Sequence, residues 1–232
     1  MSLYLSILII SLAGPLAFSF EKNLMLYKRW KYLIPAILIT MVFFVTWDII
    51  FTHIGCWFFN PMYNSGIYIN KLPLEEYLFF IIIPYACAFS FYAIQFHFPK
   101  FKLNEHWTKV LTFLIVTVSL ITSLLNLDLI YTFVNFLVVS VILLLSYYFA
   151  RDLVQYYLAI YPILLIPFFI INGILTGTGI EQAVFNYNPQ VILGIHVLSI
   201  PIEDMFYNFS LLLSPLVLTY IFEMRAKKTK II

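Results

Sequence analysis

Seven long apolar runs dominate this chain, and they restrict it to a small set of folds. Runs of roughly 18 or more residues with few charges are typical of helices that span a bilayer. The composition agrees, because 63% of the residues are hydrophobic and only 10% are charged, whereas a soluble domain has about 25% charged residues. We therefore predict an all-α, polytopic membrane protein. Its seven transmembrane helices are expected at residues 2–20, 33–52, 74–96, 108–125, 129–150, 153–172 and 201–223.

The basic residues indicate how these helices are oriented. Twelve of the 13 Lys and Arg residues lie in or beside the segments that follow predicted helices 1, 3, 5 and 7, and only Lys71 lies on the other side. Cytoplasmic loops carry such an excess of positive charge. The first run has no basic segment before it, so we interpret it as a retained span with the N-terminus outside and the C-terminus in the cytoplasm. The twelve residues are Lys22, Lys28, Arg29, Lys31, Lys100, Lys102, Lys109, Arg151, Arg225, Lys227, Lys228 and Lys230.

A doublet of carboxylates occurs twice in the chain, 128 residues apart. Pro73-Leu74-Glu75-Glu76 recurs as Pro201-Ile202-Glu203-Asp204. Asn60-Pro61 and Gly66-Ile67 recur without a gap as Asn188-Pro189 and Gly194-Ile195. Because three spans per copy is an odd number, a linking helix is needed to keep the copies parallel. We predict a 3 + 1 + 3 arrangement with a first repeat at 1–105, a linking helix at 106–128, and a second repeat with a basic cytoplasmic tail at 129–232.

The two doublets are the candidate catalytic groups. Proline followed by acidic residues is also an ordinary helix start, in which the carboxylates complement the helix dipole. Both doublets, however, open long apolar runs, and ionisable residues at membrane depth are functional candidates by default. In an apolar site one carboxyl can act as a general acid and a neighbouring one as a general base. We therefore predict that Glu75, Glu76, Glu203 and Asp204 are catalytic, and we favour Glu75 and Glu203 because Glu is retained in both copies.

Aromatic and turn residues near the doublets are candidates for substrate contacts. Aromatic rings can stabilise a carbocation, although Phe, Tyr and Trp are also ordinary residues of membrane helices and interfaces. Asp48, near the outer end of predicted helix 2, has no acidic counterpart at Thr176 and could instead be an interfacial residue. The predicted substrate-binding residues are Trp57, Phe58, Asn60, Tyr77, Phe80, Asn188, Phe206 and Tyr207, and the predicted supporting residues are Pro73, Pro201 and Asp48.

The stretch TWDIIFTHIGCWFFNPMYNSGIYINKLPLEEYLFFIIIPYAC and the second copy NPQVILGIHVLSIPIEDMFYNFSLLL carry a family resemblance. Both are similar to the membrane-embedded lycopene cyclases, which include two-subunit bacterial enzymes and the cyclase domain of fungal bifunctional enzymes. This chain resembles both halves fused through the linking helix. The resemblance implies redox-neutral cyclisation of the ψ-end groups of lycopene to β-rings in carotenoid biosynthesis. It also implies that Pro73, Glu75, Glu76, Pro201, Glu203 and Asp204 form the site.

Several other classes of protein lack support in the sequence. There is no GxGxxG for a dinucleotide, the four His residues are scattered, and predicted helix 7 has no Lys for a retinal Schiff base. We expect no cofactor, no metal, no disulfide between Cys56 and Cys87, and no nucleic-acid partner. The expected partners are an acyclic carotenoid, membrane lipid and other carotenoid-pathway enzymes, in a bacterial cytoplasmic membrane. A small 3 + 1 + 3 transporter and a non-catalytic carotenoid-binding scaffold are the alternatives.

Overall fold

A computed structural model describes residues 2–229 of the chain. Lys230, one of the predicted cytoplasmic basic residues, lies outside this range. Within it the seven apolar runs form seven α-helices. They are α1 (Leu3–Phe18), α2 (Trp30–His53), α3 (Leu74–His97), α4 (Glu105–Leu125), α5 (Ile130–Phe149), α6 (Arg151–Leu175) and α7 (Ile202–Thr229). The predicted all-α membrane fold is therefore confirmed.

Six of the helices described in residues 2–229 are long and apolar enough to cross a bilayer. The exception is α1, whose 16 residues extend about 24 Å at 1.5 Å per residue, somewhat less than the roughly 30 Å hydrocarbon core. The far end of α7 lies beyond the predicted end at 223. Lys227 and Lys228 are in its last turn, where positive charge complements the helix dipole and supports continuation of the helix.

The segments before α3 and α7 fold into two short caps with matching elements. The first contains β1 (Trp57–Phe59), β2 (Tyr68–Ile69) and β3 (Leu72–Pro73). The second contains β4 (Phe185–Tyr187), β5 (His196–Val197) and β6 (Ile200–Pro201). In each cap the last two strands form a small antiparallel hairpin that leads directly into the acidic helix. Apart from α4, the described chain thus repeats one succession of elements.

The two caps pair with each other about an approximate two-fold axis. Strands β1 and β4 are antiparallel, with Trp57 opposite Tyr187, Phe58 opposite Asn186 and Phe59 opposite Phe185. At the offset of 128, Trp57 therefore faces the equivalent of Phe59, Phe59 faces the equivalent of Trp57, and Phe58 faces its own equivalent. Pairing of this kind is what two parallel copies require when they are related by an axis along the membrane normal.

Helix packing follows the same approximate symmetry. Within each half the first helix packs on the acidic helix, as α1 does on α3 and α5 does on α7. Between halves, α2 packs on α7 and α6 packs on α3, while α3 and α7 contact each other at the centre. Helix α4 lies outside this arrangement, mainly against α5. The acidic helices are consequently buried among helices of both halves.

The end of the molecule opposite the caps carries the basic residues. Arg29, just before α2, lies 3.5 Å from Glu223 near the end of α7. Arg151, at the start of α6, lies 2.6 Å from Glu105 at the start of α4. Such exposed ion pairs stabilise a fold by about 1 kcal/mol or less. Each pair also shows that the two helix ends it joins lie on the same side of the molecule.

The orientation of the chain in the membrane stays a prediction with a direct test. Reporter fusions at Lys102 and Lys228 should be cytoplasmic, and fusions at Ser65 and Val184 should be external, because nearly all basic residues are at the end opposite the caps. Alkaline phosphatase and fluorescent-protein reporters at each site would measure this. An external result at either lysine would contradict the parallel arrangement of the two halves.

Candidate active site

A cavity beneath the caps brings together carboxylates from both halves of the chain. The cavity is compact, with a volume of about 60 Å³. Glu76 from α3, Asp204 from α7 and Asp48 from α2 all line it; we call it the carboxylate cavity. Its other lining residues are mainly aromatic: Tyr4, Trp57, Phe59, Phe79, Phe80, Tyr131, Phe168, Asn172, Leu175, Phe185, Tyr187, Tyr207, Asn208 and Leu211.

Asp204 is the most fully hydrogen-bonded of the three carboxylates. The Tyr131 hydroxyl donates to its Oδ1 at 2.8 Å. The Asn172 amide and the Tyr187 hydroxyl donate to its Oδ2 at 2.9 and 2.5 Å. Hydrogen bonds from donors favour the ionised form of a carboxyl. The surroundings of Asp204 are therefore suited to hold a negative charge.

Tyr187 belongs to the second cap and stays a donor at neutral pH. Burial raises the pKa of its phenol well above the ordinary value, and the nearby charge of Asp204 raises it further. A raised phenol pKa means that the proton stays on Tyr187 and points to Asp204. The cap thus contributes directly to the environment of the helix carboxylate.

Glu76 and Asp48 form the other acidic wall of the cavity. Glu76 accepts one hydrogen bond, from the Tyr4 hydroxyl to Oε2 at 2.7 Å. Asp48 neighbours Glu76 and is only 3% exposed. Its buried Oδ2 has no hydrogen-bond partner among residues 2–229. An ionised carboxylate in this position would be costly, so Asp48 is suited to carry a proton.

The first carboxylate of each doublet points away from the cavity and holds a cap. Glu75 accepts hydrogen bonds from the Ser65 backbone N–H at 2.6 Å and from the Ser2 hydroxyl at 2.7 Å. Glu203 accepts equivalent bonds from the Leu193 N–H at 2.7 Å and the Thr132 hydroxyl at 2.6 Å. Neither residue lines the carboxylate cavity. Our preference for these two as the reacting groups therefore receives no support from the geometry.

Asn60 and Asn188 also hold the caps together rather than facing the cavity. Asn60 donates from its backbone N–H to the Val184 carbonyl at 2.7 Å, and Asn188 does the same to the Cys56 carbonyl at 2.8 Å. The side-chain amide of Asn60 donates to the Ala183 carbonyl, and that of Asn188 donates to the Gly55 carbonyl, both at 3.3 Å. Each Oδ1 accepts from the backbone N–H two residues later, at 3.0 Å. The recurrence of Asn-Pro thus reflects a two-fold set of cap contacts.

The remaining predicted site residues divide between the cavity and its surroundings. Trp57, Phe80 and Tyr207 line the cavity. The Tyr77 hydroxyl donates to the Ile69 carbonyl, and Phe206 packs on Phe136 with ring centroids 4.6 Å apart. Phe58 is 57% exposed. Pro73 and Pro201 are buried in the strands that precede the acidic helices.

Sequence reasoning missed most of the donors that hold the cavity carboxylates. Tyr4 and Tyr131 come from the first helices of the two halves, and Asn172 comes from α6. Tyr187 occupies the position equivalent to Phe59, and Asn172 the position equivalent to Phe44. An alignment of the two copies at the offset of 128 would have identified both, as polar residues at positions where the other copy has an apolar residue.

Comparison with known proteins gives one match. The family model described as Lycopene cyclase matches residues 1–94 and 128–222. These two segments contain both doublets and both caps, and the unmatched segment between them contains α4. No curated protein and no solved structure matches the chain.

Loss of the cap contacts should lower stability measurably. Asn60→Ala and Asn188→Ala each remove at least two side-chain hydrogen bonds, so each should lower the free energy of unfolding by about 1–3 kcal/mol. Thermal unfolding of the detergent-purified protein measures this as a lower midpoint. Asn186→Ala is the matched control, because Asn186 is exposed and makes no side-chain hydrogen bond within the described part of the chain. Equal midpoints for all three variants would contradict the assigned role.

Proposed function

The chain belongs to the lycopene cyclase family, and from that premise we propose that it closes the acyclic ends of lycopene into β-rings by proton transfer between buried carboxyls. The observation that carries this proposal is the shared cavity, where Glu76 of one half and Asp204 of the other face the same space. An acid and a base on opposite walls suit a reaction in which a proton enters and another leaves.

The chemistry is an isomerisation that needs no oxidant or reductant. A proton adds to the terminal carbon–carbon double bond of the acyclic end and leaves a tertiary carbocation. A second double bond farther along the chain attacks this cation, closes the ring and moves the charge to a ring carbon. Loss of a proton from the adjacent carbon restores a double bond. One proton is consumed and one is released, so the enzyme must supply both an acid and a base.

We assign the acid to the wall formed by Asp48 and Glu76. Of two neighbouring buried carboxyls, one tends to hold a proton, because two negative charges in an apolar site repel each other. Asp48 has a buried oxygen without a donor, which favours its neutral form. Asp48 is accordingly the proton donor, and Glu76, held by Tyr4, is the neighbour through which the proton can be replaced.

We assign the base to Asp204. Its three donors, Tyr131, Tyr187 and Asn172, support a stable carboxylate. A carboxylate on the opposite wall also stabilises the positive charge that develops on the substrate. Asp204 is therefore the group that takes up the released proton.

The aromatic lining supports the same reaction. Trp57, Phe80 and Tyr207 present rings to the cavity, and the ring quadrupole attracts a cation by about 0.5–2 kcal/mol per contact. Aromatic walls also exclude water, which would otherwise trap the cation as an alcohol. The cavity therefore suits a carbocation better than a polar solute.

Expression in a lycopene-accumulating bacterium tests the proposed activity. Pigment should shift from lycopene to monocyclic or bicyclic carotenoids without an added redox cofactor, because the reaction is redox-neutral. Chromatography of the extracted pigment measures the shift. Unchanged lycopene, with folded protein in the membrane, would contradict the cyclase proposal and favour a transporter or a carotenoid-binding scaffold.

Isosteric amide variants test which carboxyls react. Asp48→Asn and Asp204→Asn should each lower turnover by about two to four orders of magnitude, the usual contribution of general acid–base catalysis, because Asp48 is the assigned donor and Asp204 the assigned base. Each change keeps the shape of the side chain and removes the transferable proton or the charge. Initial rates with purified protein and lycopene in lipid nanodiscs measure this.

Glu75→Gln and Glu203→Gln are the matched controls, one in each doublet. A glutamine oxygen can still accept the hydrogen bonds from Ser65 and Leu193, so these variants should keep turnover within about ten-fold of the original. If the controls lose activity and the cavity variants keep it, the assignment of Asp48 and Asp204 is wrong.

A further inference from the structure

Two apolar crevices run along the membrane-facing flanks of the helices, and they occupy equivalent positions in the two halves. One lies between α1, α3 and α6, and the other between α2, α5 and α7. Ala86 and Ser90 line the first, and their 128-offset equivalents Ser214 and Leu218 line the second. Equivalent surroundings would give equivalent crevices, so any difference between them arises from divergence of the two copies.

Only the crevice between α1, α3 and α6 is joined to the carboxylate cavity among residues 2–229. The two share the lining residues Phe79, Phe168, Asn172 and Asn208; we call this one the connected crevice. The crevice between α2, α5 and α7 shares no lining residue with the cavity within the described range; we call it the closed crevice. The closed crevice is the larger, with a volume of about 620 Å³ against about 160 Å³.

A single aromatic position accounts for the separation. Phe44 in the closed crevice stands where the connected crevice has Asn172. Phe44 is fully buried, and its ring centroid lies 5.2 Å from that of Tyr207 and 5.9 Å from that of Trp47. These three rings form a packed wall. Asn172 is smaller and turns its amide to Asp204, which leaves the passage beside Phe168 open.

We propose that the connected crevice binds the conjugated chain of the substrate while one end group occupies the carboxylate cavity. The inference rests on the proposed function, because it assumes that a long apolar polyene is the molecule whose end reacts. Along α3, Ser90 lies 14 positions beyond Glu76, which corresponds to about 21 Å at 1.5 Å per residue. Lycopene is roughly as long as the hydrocarbon core is thick, about 30 Å, so the carboxylate cavity and the connected crevice together extend along well over half of it.

The orientation of the crevice fits an extended hydrocarbon. On α3, which spans Leu74–His97, its lining runs from Phe79, shared with the carboxylate cavity, past Ala86 at the middle of the helix to Ser90. An apolar chain laid along this path stays in contact with apolar side chains and open to lipid at its far end. The unreacted end then lies away from the carboxylates, so each visit to the site closes one ring, and a monocyclic product must leave and rebind before the second closure.

A symmetry-matched pair of variants tests the assignment. Ala86→Leu narrows the connected crevice, and Ser214→Leu makes the same kind of change at the equivalent position of the closed crevice. Ala86→Leu should lower the initial rate of cyclisation by about ten-fold or more, since small displacements of a bound substrate cost that much. Ser214→Leu should stay within about two-fold of the original. Equal rates for the two variants would overturn the proposal.

Photo-crosslinking tests which of the two crevices binds the conjugated chain, and its result does not depend on turnover. Benzoylphenylalanine introduced at position 90 or at position 218, in nanodiscs that contain lycopene, should give a lycopene adduct at position 90 and little or none at 218. Adducts of equal yield at both positions, or an adduct at 218 alone, would overturn the proposal. If the unaltered protein forms no cyclic product but position 90 still captures lycopene, the proposed function fails and the polyene site stands.

Discussion

The structure depends on where the chain places four carboxyl groups that are buried at the start of the two acidic helices. The two carboxylates of each doublet contact different parts of the structure, because adjacent residues on a helix point about 100° apart. Glu75 and Glu203 accept backbone and hydroxyl hydrogen bonds and thereby fix the caps. Glu76 and Asp204 face the cavity that the caps close. The paired caps bring the two acidic helices to the same place, so the reactive geometry is a product of both halves.

The scaffold is nearly symmetric, and its chemistry is not. Asp48 has Thr176 as its equivalent, and Asn172 has Phe44. The first difference adds an acid to one wall of the cavity, and the second opens one crevice and seals the other. Duplication therefore supplied a stable frame with two equivalent flanks. In the proposed reaction these few differences give the two walls different roles, one as the acid and one as the base, and leave one flank as the path for the substrate.

Much of the fold could be predicted from the sequence, because span length and hydropathy identify helices in a membrane chain. The offset of 128 also identified the caps and the acidic helices as equivalent parts. The phase of each acidic helix could not be predicted, since packing against other helices decides which of Glu75 and Glu76 faces the cavity. The donors Tyr4 and Tyr131 were missed for a related reason. They lie on helices distant in the chain, and no local pattern connects them with the carboxylates.

The isotope content of the product shows whether a buried carboxyl donates the proton that starts ring closure. Purified protein is incubated with unlabelled lycopene in D₂O buffer, and the cyclic carotenoid is analysed by mass spectrometry. Carboxyl protons exchange with solvent, so the product should contain about one deuterium per ring formed, retained on a saturated ring carbon. Cyclic product without deuterium would contradict proton donation by the carboxyls and would require a different reaction in the same cavity.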